Sequence, residues 1–177
     1  MSNLVYIAAS IDGYIADRNN KLDWLQMVPN PDNSDFGYAA FLDGIDAIVM
    51  GRNTYEMVVS FGGDWPYSKP VFVLSHSLKL FPEKLQGKVN LIKGTPGEIT
   101  NTLNNQGFEN LYIDGGYTIQ SFLEANLIDE LIITRIPVLL GGGIPLFGKL
   151  SEHRKFKHIS TEVLLGEMVV SRFRRSN

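Results

Sequence analysis

Apolar residues in this chain gather in short runs, each closed by a polar residue or a glycine. Leu4 to Ala9, Ala47 to Met50, Val71 to Leu74, Val89 to Ile92, Leu111 to Ile113 and Leu131 to Ile136 are such runs. Short, punctuated runs that are apolar on both faces predict buried strands. A shorter segment, Gly13 to Ala16, precedes the polar turn Asp17-Arg18-Asn19-Asn20. Between the strands the spacing turns helical. Asp32 or Ser34 can cap a helix from about Asp35 to Leu42, with Tyr38, Phe41 and Leu42 on its apolar face. A second helix opens at Arg52 and ends near Gly62-Gly63. Thr95-Pro96-x-Glu98 combines a cap, a first-turn proline and a returning carboxylate, which predicts a helix to about Gln106. A fourth helix is predicted from Thr118 to Ala125, and His158 to Arg174 alternates around Gly166 as an antiparallel hairpin.

Strand and helix thus alternate over the first two-thirds of the chain. That order predicts an α/β fold with a mostly parallel central sheet flanked by helices, and the C-terminal antiparallel hairpin at one edge. No internal repeat or linker-like stretch interrupts residues 1–177, so one domain is expected.

Composition narrows the chemistry. There are 177 residues and no cysteine, which excludes disulfides, thiolate metal sites and thiol catalysis and fits a cytoplasmic setting. The three histidines show no metal-ligand spacing, so no metal is expected. A net charge of −3 gives no basic field for nucleic acid. Neither a signal peptide nor a run long enough to span a bilayer is apparent. Gly143 to Lys149 fits the spacing of a phosphate-binding P-loop, but Leu150 stands where Ser or Thr should bind magnesium. No G-x-G-x-x-G follows the first strand.

Three strand ends carry residues suited to phosphate, where open α/β sheets bind ligands. At Gly51-Arg52-Asn53-Thr54, a glycine, helix N–H groups and a guanidinium meet; a plain strand–helix turn is the competing reading. Ser75-His76-Ser77 offers hydroxyls and an imidazole, against a hydroxyl-capped loop. Asp114-Gly115-Gly116-Tyr117 leaves bare backbone before a helix, against a tight turn. Together they favour a dinucleotide, with a phosphorylated sugar as the competing ligand.

In order and spacing the chain resembles the dihydrofolate reductase-like superfamily, and within it the reductase domain of bacterial riboflavin biosynthesis (the RibD C-terminal domain) and its stand-alone relatives. The resemblance covers nearly the whole chain. It is carried by Ser10-Ile-Asp-Gly-Tyr-Ile-Ala16, Met50-Gly-Arg-Asn-Thr-Tyr-Glu56, Val73-Leu-Ser75, Ile113-Asp-Gly-Gly116 and Ile136-Pro-Val-Leu-Leu-Gly-Gly-Gly-Ile-Pro-Leu-Phe147. It implies NADPH as cofactor, with Gly51, Arg52, Asn53 and Thr54 at its phosphates. Ser75, His76 and Lys93 would lie near the 2′-phosphate. Gly115 and Gly116, often joined by a cis peptide in this superfamily, would lie beside the pyrophosphate. Ala9 and Ile15 would line the nicotinamide pocket.

The catalytic set implied is Asp35, Thr134 and Trp24. Asp35 lies 16 positions before Gly51, the spacing of the substrate-binding carboxylate in folate reductases, and Thr134 would support it. Helix capping is the other reading of Asp35, and the two stand side by side. Trp24 falls where the family has a mobile loop over the active site. The resemblance implies reduction of a small heterocyclic or aminopyrimidine-type substrate, similar to 5-amino-6-(5-phosphoribosylamino)uracil, by a homodimer. Dihydrofolate reductase and a non-catalytic nucleotide-binding protein are the alternatives. Two departures bear on substrate. The stretch before the third strand run, Asp64 to Pro70, has Lys69 but no arginine for a folate tail. Leu4 to Ala9 lacks the lysine common in riboflavin-pathway reductases.

Overall fold

In the computed structural model, which describes residues 1–176, the chain runs in the order the apolar runs predict. The strands are β1 (Ser2–Ser10), β2 (Tyr14–Ala16), β3 (Ala47–Gly51), β4 (Val71–Leu74), β5 (Val89–Ile92), β6 (Asn110–Asp114), β7 (Glu130–Ile136), β8 (Ile144–Pro145), β9 (Phe156–Leu164) and β10 (Met168–Arg175). The helices are α1 (Tyr38–Asp43), α2 (Arg52–Ser60), α3 (Pro96–Asn105) and α4 (Gly116–Glu124), with 3₁₀ turns at Asp23–Gln26 and Glu83–Leu85. Eight strands form one sheet in the order β5-β4-β3-β6-β1-β7-β10-β9. β5 through β7 run parallel, and β10 and β9 close the edge antiparallel. No helix among the described residues is long and apolar enough to cross a membrane.

The parallel part of the sheet is buried on both faces because α3 and α4 cover one and α1 and α2 the other. Ile99, Leu103, Ile119 and Phe122 pack on Val5, Val49 and Ile113. On the opposite face Tyr55 and the partly buried Tyr38 and Phe41 pack on Ile48, Met50 and Tyr112. α3 starts with the predicted capping box: Thr95 accepts from the Glu98 amide, and the Glu98 carboxylate accepts from the Thr95 amide at 2.8 Å. α1 begins at Tyr38, later than predicted, because the Asp35 side chain turns the chain first. Its carboxylate accepts from the amides of Gly37 (2.9 Å) and Ala39 (2.8 Å).

Two of the recurring motifs turn out to hold each other. Asp12 accepts from the Ser10 hydroxyl at 2.6 Å and from the amides of Leu140 and Gly141 at 3.1 and 2.7 Å. These bonds hold its carboxyl below the usual range. The amide of Leu146 donates to the Gly13 carbonyl, and β8 pairs with β2. The P-loop-like segment therefore opens as a short strand against β2 rather than as a phosphate cradle. Gly143 has φ +139°, and a Cβ there would overlap the Ala16 carbonyl.

Gly143→Ala should accordingly destabilise the chain by at least the roughly 1–3 kcal/mol of a strained backbone, with the overlap added. A urea unfolding midpoint unchanged from wild type would contradict this docking.

Candidate active site at the carboxyl ends of the strands

β3 enters α2 directly, and β6 enters α4 through Gly115. Because β3 and β6 are adjacent parallel strands, with Met50 opposite Asp114, the N-termini of α2 and α4 stand side by side. Gly115 has φ +89°, and a Cβ on it would overlap the Thr54 side chain. A Cβ on Gly51 would come within 3.0 Å of the Thr118 hydroxyl. Each helix start thus requires a glycine at its neighbour. The Gly115–Gly116 peptide is trans, correcting the cis expectation; the positive φ of Gly115 makes the turn. A Cβ on Gly116 would approach Ile144 and Ile15 at 3.0 and 3.1 Å, so protein side chains demand this glycine as well.

In front of these helix starts lies a cavity of about 580 Å³. One wall carries Gly51, Arg52, Asn53, Thr54, Gly115 and Gly116, with Tyr117 and Thr118 behind. Helix N-termini present free N–H groups and a partial positive charge, and here two do so together. Arg52 adds a guanidinium, which donates to the Ser77 hydroxyl at 2.8 Å and pairs with Glu56 at 3.2 Å.

Asp114, the last residue of β6, lines the same cavity. Desolvation pushes its carboxyl up to about 6, although the Gly115 amide, donating at 2.8 Å, and the nearby Tyr112 hydroxyl draw it down. Tyrosines gather around it. Tyr67 lines the cavity, and burial together with the Asp114 carboxylate raises the phenols of Tyr38 and Tyr67. The Tyr112 hydroxyl donates to the Tyr6 carbonyl at 2.9 Å. A carboxyl that titrates in the range of working pH can both accept hydrogen bonds and hold a proton for transfer.

The remaining expected residues fall elsewhere. Ile15 lines the cavity, but Ala9 is fully buried in the core with Val5; Ile7 and Ala8 reach the cavity in its place. Trp24 packs on Val28, Ile136 and Met168, and the neighbouring Leu25 faces the cavity. Asp35 is exposed, caps α1 and makes no hydrogen bond to Thr134, which is buried in β7 opposite Ala8. Neither lines the cavity. The Ser75 hydroxyl accepts from the amides of Ser77 and Leu78, holding the loop after β4. His76 is exposed beside it, and the pairing of Leu74 with Ile92 sets Lys93 alongside.

The sequence reading passed over Asp114 as a functional group, along with Met57, Phe61 and Tyr67 on the cavity wall. Asp114 had a signal, being an acidic residue at a strand end directly before a glycine pair. The others depend on how α2 and the 61–70 loop fold over the strand ends.

A mostly parallel sheet with an antiparallel C-terminal hairpin and a cavity at the strand ends is a dihydrofolate reductase-like fold. The profile of the RibD C-terminal domain matches residues 4–170, and the chain belongs to that family. It is similar to a protein from Shewanella sp. PV-4 whose crystal structure is named for riboflavin biosynthesis, with 53% identity and a TM-score of 0.97 over 100% of both chains. Bacillus subtilis YwjB is 36% identical over 157 residues, 87% of each protein. Dihydrofolate reductase from Enterococcus faecalis, solved with NADP(H), has the same fold at 17% identity, with a TM-score of 0.69 over 99% of this chain and 97% of that one.

Asp114 makes a testable signature. Its folded carboxyl titrates near about 6 and its ordinary value is 3.8, so the folded state holds an extra proton between the two. The stability that protonation contributes is full below 3.8 and is lost as pH rises through about 6. Asp114→Asn keeps the neutral shape. Its denaturant midpoint should therefore vary less across this window than that of the wild type. Parallel pH curves for the two proteins would contradict the desolvation of Asp114.

Proposed function

We propose that this protein is an NADPH-dependent reductase of a small heterocyclic substrate of the aminopyrimidine type. The observation that carries the reading is one cavity lined by two paired helix starts together with Asp114 beside them. The residues fit the cofactor. Gly51, Gly115 and Gly116 leave backbone bare, the first turns of α2 and α4 supply N–H groups, and Arg52 supplies a fork for a phosphate. Ser77, His76 and Lys93 extend that wall toward a further phosphate, which favours NADPH over NADH. The exposed Arg52–Glu56 pair, worth about 0–1 kcal/mol, is easily exchanged for a phosphate contact. NADP(H) in the Enterococcus faecalis enzyme of the same fold supports the choice. When bound, the reduced nicotinamide supplies a hydride.

The chain's own groups do the rest. Ionised, the Asp114 carboxylate accepts hydrogen bonds from an amino group and a ring N–H, orienting the ring. Protonated, it holds at its oxygen the proton that a ring nitrogen gains when a C=N carbon is reduced. Ile7, Ile15 and Leu25 line the same cavity with apolar side chains, which favours exclusion of water. The dihydrofolate reductase reading is weaker, because the carboxylate at the folate-reductase spacing, Asp35, is engaged by the amides of Gly37 and Ala39. Cytoplasmic residence belongs to the same proposal, supported by a chain without cysteine.

Arg52→Ala should weaken NADPH binding by about tenfold or more and NADH binding much less, read by calorimetric titration. Equal affinity of the wild type for both cofactors would sink the phosphate assignment. NADPH oxidation across a panel of reducible aminopyrimidines and dihydropterins tests the activity itself. Binding without any turnover would favour the nucleotide-binding alternative.

We also propose a homodimer through the C-terminal hairpin. Residues 157–163 of β9 are exposed, and Ile159 and Val163 are 42% and 59% exposed on an unpaired sheet edge. A long unpaired edge strand that exposes two large apolar side chains among polar ones is a pairing surface, and a second copy supplies an isologous partner. Light scattering should give about twice the 19.8 kDa chain mass, and Val163→Lys should halve it while leaving the circular dichroism unchanged. A wild-type mass of one chain that does not change with concentration would refute the dimer.

A further inference from the structure

The two ends of the cavity differ in chemistry. Resting on the reductase reading above, we infer that the substrate is a flat nitrogen heterocycle that carries no phosphate and presents an apolar edge. Away from the helix starts the wall carries Leu22, Leu25, Met57, Val58, Phe61 and Tyr67, with Met57, Val58 and Phe61 at the far end of α2 from Arg52. Met57 and Val58 come from the second half of α2, and Phe61 caps its end. Phe61, 67% exposed, forms the rim. Among the described residues lining the cavity, Arg52 is the one Lys, Arg or His. It stands at the first position of α2 and Phe61 directly follows the last, roughly 13 Å further along the axis. The guanidinium is also held at its own end by Ser77 and Glu56.

A phosphate placed in this lobe would lose its hydration against apolar side chains, and apart from Arg52 the charged residue lining the cavity is an acid, Asp114. Burying an anion without a cation, beside a like charge, opposes binding strongly. The same lack of cations disfavours an acidic tail on the substrate. A neutral ring keeps the favourable interactions: aliphatic and aromatic contact along its edge, and the carboxylate for its amino group and ring N–H.

The test uses a ribitylamino-substituted aminopyrimidine with and without its terminal phosphate, titrated calorimetrically into the full chain preloaded with NADP⁺. The unphosphorylated compound should bind about tenfold more tightly or better. Phe61→Arg, which puts a cation on the rim, should narrow or reverse that preference, and Met57→Lys serves if the first variant does not fold. Equal or tighter binding of the phosphorylated compound to the wild type overturns the inference, as does failure of both compounds to bind the loaded protein. Failure of the preceding NADP⁺ titration is a different result, because it overturns the reductase reading and this inference with it.

Discussion

Two helix N-termini that stand together at the carboxyl ends of adjacent strands set the terms for the rest of this molecule. The parallel pairing of β3 with β6 leaves α2 and α4 no other place to begin. Each helix end carries a partial positive charge of roughly half a unit, so bringing two together is electrostatically unfavourable until an anion lies between them. The contact is as close as glycine allows, with Thr54 against Gly115 and Thr118 against Gly51. The corner is therefore suited to an anion, such as the diphosphate of the proposed cofactor.

Asp114 sits at that corner, and two effects oppose each other there. The start of α4 and the Gly115 amide favour its charged form, an influence of about 0.3–1 kcal/mol for a helix end. Burial among Tyr38, Tyr67 and Tyr112 works the other way and wins, leaving the carboxyl at about 6. The loops facing the cavity are fixed by a separate set of bonds. Asp12 and Gly143 lock the segment after β1 to the segment after β7, and Ile15 and Ile144 meet at Gly116 as a result. The motifs that make the family recognisable thus divide into those that shape the cavity and those that hold its walls in place.

Much of this was legible in the sequence. Unbroken apolar runs such as Ala47 to Met50 can only be strands covered on both faces, and Thr95-Pro96-x-Glu98 states its own helix start. The glycines at 51, 115 and 116 were legible as sites of close approach, although the approaching atoms are protein side chains. What spacing does not encode is direction. Ala9 and Ala8 are neighbours on β1, and one is buried in the core while the other reaches the cavity. Asp35 has the position of a substrate carboxylate, yet its oxygens are used by the amides of Gly37 and Ala39. The apolar lobe was illegible because Leu25, Met57, Phe61 and Tyr67 come from separate segments, and only the folded chain brings them together.

The account rests on an anion joining both helix starts at once, and amide chemical shifts followed during an NADPH titration test that most directly. In ¹⁵N-labelled protein, the amides of residues 52–54 and 116–118 should show the largest shifts and should saturate together at one concentration of NADPH. Shifts confined to one of the two turns, or centred elsewhere on the protein, would contradict it.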